Sequence, residues 1–145
     1  MRLIVQQVEP FTVYQGRIVN YRVHACTESG RTLCCLDPSG ASAQFREGDR
    51  VSGLLTALSF EFTEDRPGPN RLTGRVRRVL PLDANPAYRG LMENHFLCLD
   101  TPDGLLFLSP CRGRQGPLVP DGRQVSVHIT GGLYFEPAVS VALAL

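Results

Sequence analysis

Two stretches decide the fold: "FREGDRVSGLLTALSFEF", Phe45 to Phe62, and "VPDGRQVSVHITGGLYFEP", Val119 to Pro137. Each reads as a charged glycine turn followed by a strand that restarts on Val and ends on Phe-Glu. Comparing residue n with residue n+74 pairs Tyr14 with Tyr88, Gly16 with Gly90, Asn20 with Asn94, Thr27 with Thr101 and Gly30 with Gly104. It also pairs Gly48 with Gly122, Val51 with Val125, Ser52 with Ser126 and Thr56 with Thr130, nine identities over residues 14–56. Several fall on turn glycines, whose backbone freedom gives them a physical role. After Ala57 the offset becomes 75, pairing Phe60 with Phe135 and Glu61 with Glu136. The pattern predicts a duplicated unit of about 70 residues, too few copies for a solenoid.

The unit reads as β structure. Apolar runs flank Asp100-Thr101-Pro102-Asp103-Gly104 in the second copy, and "YRVHACTESGRTLCCL" stands at the same place in the first, so each copy predicts a hairpin. Val125, Val127 and Ile129 alternate with Ser126, His128 and Thr130, the period of a strand with one buried face. Leu133 and Phe135 continue that parity, whereas Leu58, Phe60 and Phe62 point inward only if the first copy slips by one residue near Ala57. Such a slip is a β-bulge. Capped helical periods are missing, although "ANPAYRGLMEN" has room for a turn or two.

The expected fold is therefore all-β: two tandem small antiparallel barrels with little helix, the first over residues 1–80 and the second over 81–145. Residues 58–80 are read as an extended hairpin of the first. The phrase "REGDRVSG" resembles the turn into the fourth strand of OB folds, and also the matching turn of other small barrels. The resemblance covers about ten residues per copy and implies OB-like modules; the helix that OB folds place between strands three and four has no clear counterpart.

The 145-residue chain carries 15 basic and 14 acidic residues, and every basic residue is Arg. Dividing at Leu80 gives eleven Arg against eight acids, net +3, and then four Arg against six acids, net −2. The densest basic part is "NRLTGRVRRVL", where Arg71, Thr73, Arg75 and Arg77 share one strand face and Leu72, Gly74 and Val76 the other. Guanidiniums on an enlarged hairpin suit phosphates and bases, and the loop before the last OB strand often grips nucleic acid, so Arg66, Arg71, Arg75, Arg77 and Arg78 are the expected contacts to single-stranded nucleic acid. The competing account is a solvated face balanced across the hairpin by Glu61, Glu64 and Asp65. A second basic loop, with Arg112 and Arg114 among glycines, is a secondary anion-binding candidate, though it lacks the ending of a P-loop. Phe60 and Phe62 fit the core, and Tyr14 and Tyr21 remain stacking candidates.

Catalytic and cofactor signals are weak. Neither the three histidines nor the five cysteines sit in a recognisable nucleophile motif, and His95, Cys98 and Cys111 lack a fourth zinc ligand. No catalytic residue, metal or cofactor is expected. An odd cysteine count without a secretory leader predicts free thiols in the cytoplasm, and no apolar run is long enough for a membrane span. The function read from the chain is non-catalytic binding, of single-stranded nucleic acid or, alternatively, of a protein partner through the duplicated barrels. Either use is compatible with a homo-oligomer.

Overall fold

The computed structural model describes residues 1–79, 96–108 and 122–137. Strands account for most of them: β1 (Arg2–Tyr14), β2 (Arg17–Thr27), β3 (Thr32–Asp37), β4 (Arg50–Thr63), β5 (Arg71–Val79), β6 (Phe96–Thr101), β7 (Gly104–Leu108) and β8 (Gln124–Pro137). The helical content of these residues is one 3₁₀ turn, Ala41–Gln44. All-β architecture thus follows from the alternation read in the sequence.

The eight strands form one sheet in the order β1-β2-β3-β8-β4-β7-β6-β5, with additional pairings of β1 with β4 and of β5 with β8. Both expected hairpins are present: β2 and β3 turn at Glu28 to Gly30, and β6 and β7 turn at Pro102-Asp103, with Gly30 and Gly104 at positive φ. Positive φ is what glycine tolerates best. In the centre β4 runs antiparallel to β8 from Gly53↔Pro137 to Thr63↔Ser126.

Two expectations about β4 are corrected. β4 and β5 are not the arms of one hairpin, because β8 lies between them: His128 is opposite both Glu61 and Arg71, and Val127 opposite both Phe62 and Leu72. A local turn signal at "RPGPN" cannot reveal that a strand from the far end of the chain inserts there. The register slip exists, but it falls between Ser59 and Phe60, and Leu58 points outward. The slip returns Phe60 and Phe62 to the core side, where they pack edge to face with centroids 5.8 Å apart.

Every strand contributes to a single apolar core, in which Leu3, Val23, Cys35, Leu55, Leu72, Leu99, Leu106 and Phe135 are almost fully buried. The β3–β8 contact is a single parallel pair, Leu36↔Tyr134. Asn70 fills the rest of that seam. Its N–H donates to the Thr32 carbonyl at 2.9 Å, its Oδ1 accepts from the Cys34 N–H at 2.8 Å, and its carbonyl accepts from the Ile129 N–H at 2.8 Å. It does so at φ 55°, a left-handed conformation that asparagine adopts more readily than most residues.

Candidate functional site: a basic strand face and an apolar ribbon

On β5, Leu72, Gly74 and Val76 are buried while Arg71, Thr73, Arg75 and Arg77 face outward, as the alternation requires. The neighbouring strands then decide how much of that charge is free. Arg77 Nη2 lies 2.8 Å from Asp100 Oδ2 on β6. Arg66 pairs with Glu64 at 3.1 Å, and Arg71 Nη1 donates to Thr63 Oγ1 at 3.4 Å. The two ion pairs, Arg77–Asp100 and Arg66–Glu64, are largely exposed, so they contribute little to stability, but they do dilute the positive field. Arg75 has no acidic partner among the described residues and stands at the edge of a groove of about 590 Å³.

Two arginines and three aspartates line that groove. Arg31 Nη2 sits 3.2 Å from Asp65 Oδ1, which also accepts from Thr73 Oγ1 at 3.1 Å. Asp103 accepts from the Ser29 N–H at 2.9 Å and from the Ser29 hydroxyl, joining the β2–β3 turn to the β6–β7 turn. With Asp100 completing the set, the lining is net negative. Of the three acids expected to balance the arginines, Glu64 does so, holding Arg66, whereas Glu61 meets His128 at 3.4 Å and Asp65 holds Arg31. The Arg78 backbone pairs with Leu97, but its side chain, like Arg112 and Arg114, lies outside the described residues.

A second surface escaped the sequence reading. β1 and β2 form a long hairpin closed by a two-residue turn in which Gln15 and Gly16 both have positive φ, the hairpin geometry that matches strand twist. β1 pairs with β4 only over Arg2–Ile4, and β2 with β3 only from Tyr21 onward. The distal part is therefore a two-stranded ribbon. Phe11, Val13, Tyr14, Ile18 and Val19 on it are 45–66% exposed. The available signal was Gln15-Gly16 flanked by alternating β-branched and aromatic residues.

The root of the ribbon is stiffened by charge. His24 Nε2 lies 2.9 Å from Glu9 Oε1, Arg22 Nη1 donates to the same oxygen at 3.3 Å, and the Arg22 guanidinium stacks 4.7 Å from the Phe11 ring centroid. The hydrogen bond from His24 holds the Glu9 carboxyl below its usual range, helped by the nearby Arg22 charge.

The thiols of Cys34, Cys35 and Cys98 are pushed up, chiefly by burial, and stay neutral near pH 7. Cys26, Cys34, Cys35 and Cys98 are unpaired thiols on strands; His95 and Cys111 lie outside the described residues. Among the described residues no group of His, Cys, Asp and Glu converges to hold a metal, and no helix is long and apolar enough to cross a membrane. No protein-family model matches the chain, and no curated protein is detectably similar to it in sequence.

Proposed function

We propose that the protein is a non-catalytic, cytoplasmic binding module that docks a protein partner on the distal β1–β2 ribbon. The observation that carries this reading is the set of five large apolar side chains left in water on the ribbon, in a chain that buries apolar residues from all eight strands. An isolated two-stranded ribbon is marginal in water, and clustered exposed apolar residues are the usual mark of an interface.

A second reading, single-stranded nucleic acid on the β5 face, is favoured by Arg75, which is exposed and has no acidic partner among the described residues. Its weight is reduced by the three aspartates around the adjoining groove, which repel phosphate. A photo-cross-linking residue placed at Val13 in one variant and at Arg75 in another separates the two readings in cells. Docking on the ribbon gives nuclease-resistant protein adducts from position 13. Nuclease-sensitive adducts confined to position 75 would instead establish the nucleic-acid reading.

The pairing scheme also supports reading the sheet as two OB-like barrels descended from a duplication, each borrowing a strand from the other. The pairs Arg2↔Ser52, Leu3↔Val51 and Ile4↔Arg50 correspond to Thr73↔Ser126, Gly74↔Val125 and Arg75↔Gln124. β3 runs parallel to β8 as β7 runs parallel to β4. Between Ala57↔Leu133 and Ser59↔Gly131 lie Leu58 and Gly132, whose numbers differ by 132 − 58 = 74, the offset of the sequence repeat. On this reading the β4–β8 ladder straddles a local twofold axis, and the boundary at residue 80 divides repeats rather than independent folding units. Expressing residues 1–80 alone tests it: an aggregated or unfolded product is expected, and a stable monomeric barrel would contradict the strand exchange.

A further inference from the structure

We infer that the outward face of the β1–β4 pairing is a phosphate-binding site, formed by Arg2 and Arg50 with Ser52, that takes inorganic phosphate or the phosphate of a small monoester. The site is separate from the ribbon and does not depend on what docks there.

Register places the groups. Arg2 stands opposite Ser52 and Ile4 opposite Arg50, while Leu3 between them is buried in the core. Arg2, Arg50 and Ser52 therefore share the outward face, where all three are exposed. The two arginines are diagonal neighbours on adjacent strands, about 7–8 Å apart, a separation that long side chains span. With Ile4, Ser52 and Glu28 they line a groove of about 190 Å³. Pockets that enclose a drug-sized molecule begin at roughly 300 Å³, so this one suits a single small group.

Charge selects the group. Neither guanidinium has an acidic partner among the described residues, although Arg22, Arg31, Arg66 and Arg77 each have one. Asp49, next to Arg50 in sequence, is turned to the Arg46 N–H at 2.8 Å. Glu28 lines the groove but forms an ion pair with neither arginine, so the lining is net positive. Two unpaired guanidiniums on adjacent strands repel, and an oxyanion between them removes that repulsion. Phosphate meets the geometry better than a carboxylate does. Its oxygens point to both sides, so one group accepts from both planar forks and keeps an oxygen for the Ser52 hydroxyl.

The β5–β8 ladder carries a version of this arrangement supplied from within the chain. Thr73 stands opposite Ser126 there, as Arg2 stands opposite Ser52. Asp65 Oδ1 is seated on that face, accepting from Thr73 Oγ1 at 3.1 Å and from Arg31 Nη2 at 3.2 Å. One seam of the sheet thus already holds an oxyanion between a hydroxyl and a guanidinium. The other seam presents a hydroxyl and two guanidiniums, and no acid among the described residues pairs with them.

Titrating sodium phosphate into the ¹⁵N-labelled chain at low ionic strength, followed in amide correlation spectra, reads the site by position. Amides of Arg2 to Ile4 and of Arg50 to Ser52 should shift and saturate, with a midpoint below about 10 mM, while matched sodium chloride leaves them in place. Arg2→Gln and Arg50→Gln should each weaken binding about tenfold, as for a lost hydrogen bond from a charged donor. The double variant should not saturate, and far-UV circular dichroism checks that each variant folds; the single variants carry the test if the double one does not. Arg123→Gln removes the same charge from an exposed position outside the groove and should bind like wild type. Methyl phosphate separates the two sources of the group: tighter binding than inorganic phosphate assigns a monoester, and equal or weaker binding assigns the free ion. Wild-type amides that do not shift at this seam, or that shift alike in both single variants, overturn the inference. So does an equal loss in Arg123→Gln, which would mark a general attraction to positive charge.

Discussion

The ribbon of β1–β2 and the outer face of β5 present the same kind of sequence, alternating strands with β-branched residues, and become opposite surfaces. β5 lies inside the sheet, between β8 and β6; β6 brings Asp100 to Arg77, and Thr63 at the end of β4 takes a hydrogen bond from Arg71. The ribbon has left the sheet, so its apolar side chains acquire no cover. A cation density written in one strand is therefore a poor guide to surface potential, because the compensating groups arrive from strands distant in the chain. Apolar alternation is equally ambiguous until pairing shows whether a strand has one neighbour or two.

The largest effect expected from this contrast is at the buried side of β5. Leu72→Ala should cost about 2–5 kcal/mol in urea unfolding, since Leu72 is sealed behind the arginine face. A cost below about 1 kcal/mol would mean that β5 is not seated between β8 and β6.

Next comes the point where the ribbon departs. Asp37 is opposite Tyr21, the last residue at which β3 supports β2. Its carboxylate accepts from the Ser39 N–H at 2.9 Å, the Ser39 hydroxyl at 2.6 Å and the Ser42 N–H at 2.7 Å. Burial pushes its pKa up, but the bonds from Ser39 and Ser42 outweigh that and hold it below the ordinary value. Asp37→Ala should destabilise by about 1.5–3 kcal/mol at pH 7, as for a lost hydrogen bond to a charged group. Because the folded pKa is depressed, this stabilisation is complete above the ordinary carboxylate pKa of about 4 and is lost as pH falls through the lower, folded value. Urea melts of wild type and variant at pH 7 should therefore differ, and the gap should close under strongly acidic conditions.

Smaller effects belong to the surfaces themselves. Arg77→Ala, which breaks the exposed pair with Asp100, should cost under about 1 kcal/mol and less in high salt. Val13→Ala, on the ribbon, should change the stability of the dilute chain by about 0.5 kcal/mol or less. A large loss at Val13 would show the ribbon to be packed within its own chain.

Much of the architecture was legible. Val125, Val127 and Ile129 announce their strand, and Gly30 and Gly104 their turns, because strand periodicity and left-handed turns are local properties. The outward set Arg71, Thr73, Arg75 and Arg77 was readable for the same reason. What was not readable was non-local. Nothing around "RPGPN" reports that β8 separates β4 from β5, and nothing near Arg77 reports Asp100. Tyr14 was noted, but Phe11, Val13, Ile18 and Val19 look like ordinary core in a linear pattern. Their exposure follows only from where β4 and β3 stop pairing.

The claim that the ribbon, rather than β5, is the working surface meets its most direct test in cells that carry the photo-cross-linking residue at Val13 or at Arg75. Position 13 should give nuclease-resistant protein adducts and position 75 none. No adduct from position 13, or nuclease-sensitive adducts from position 75, would contradict it.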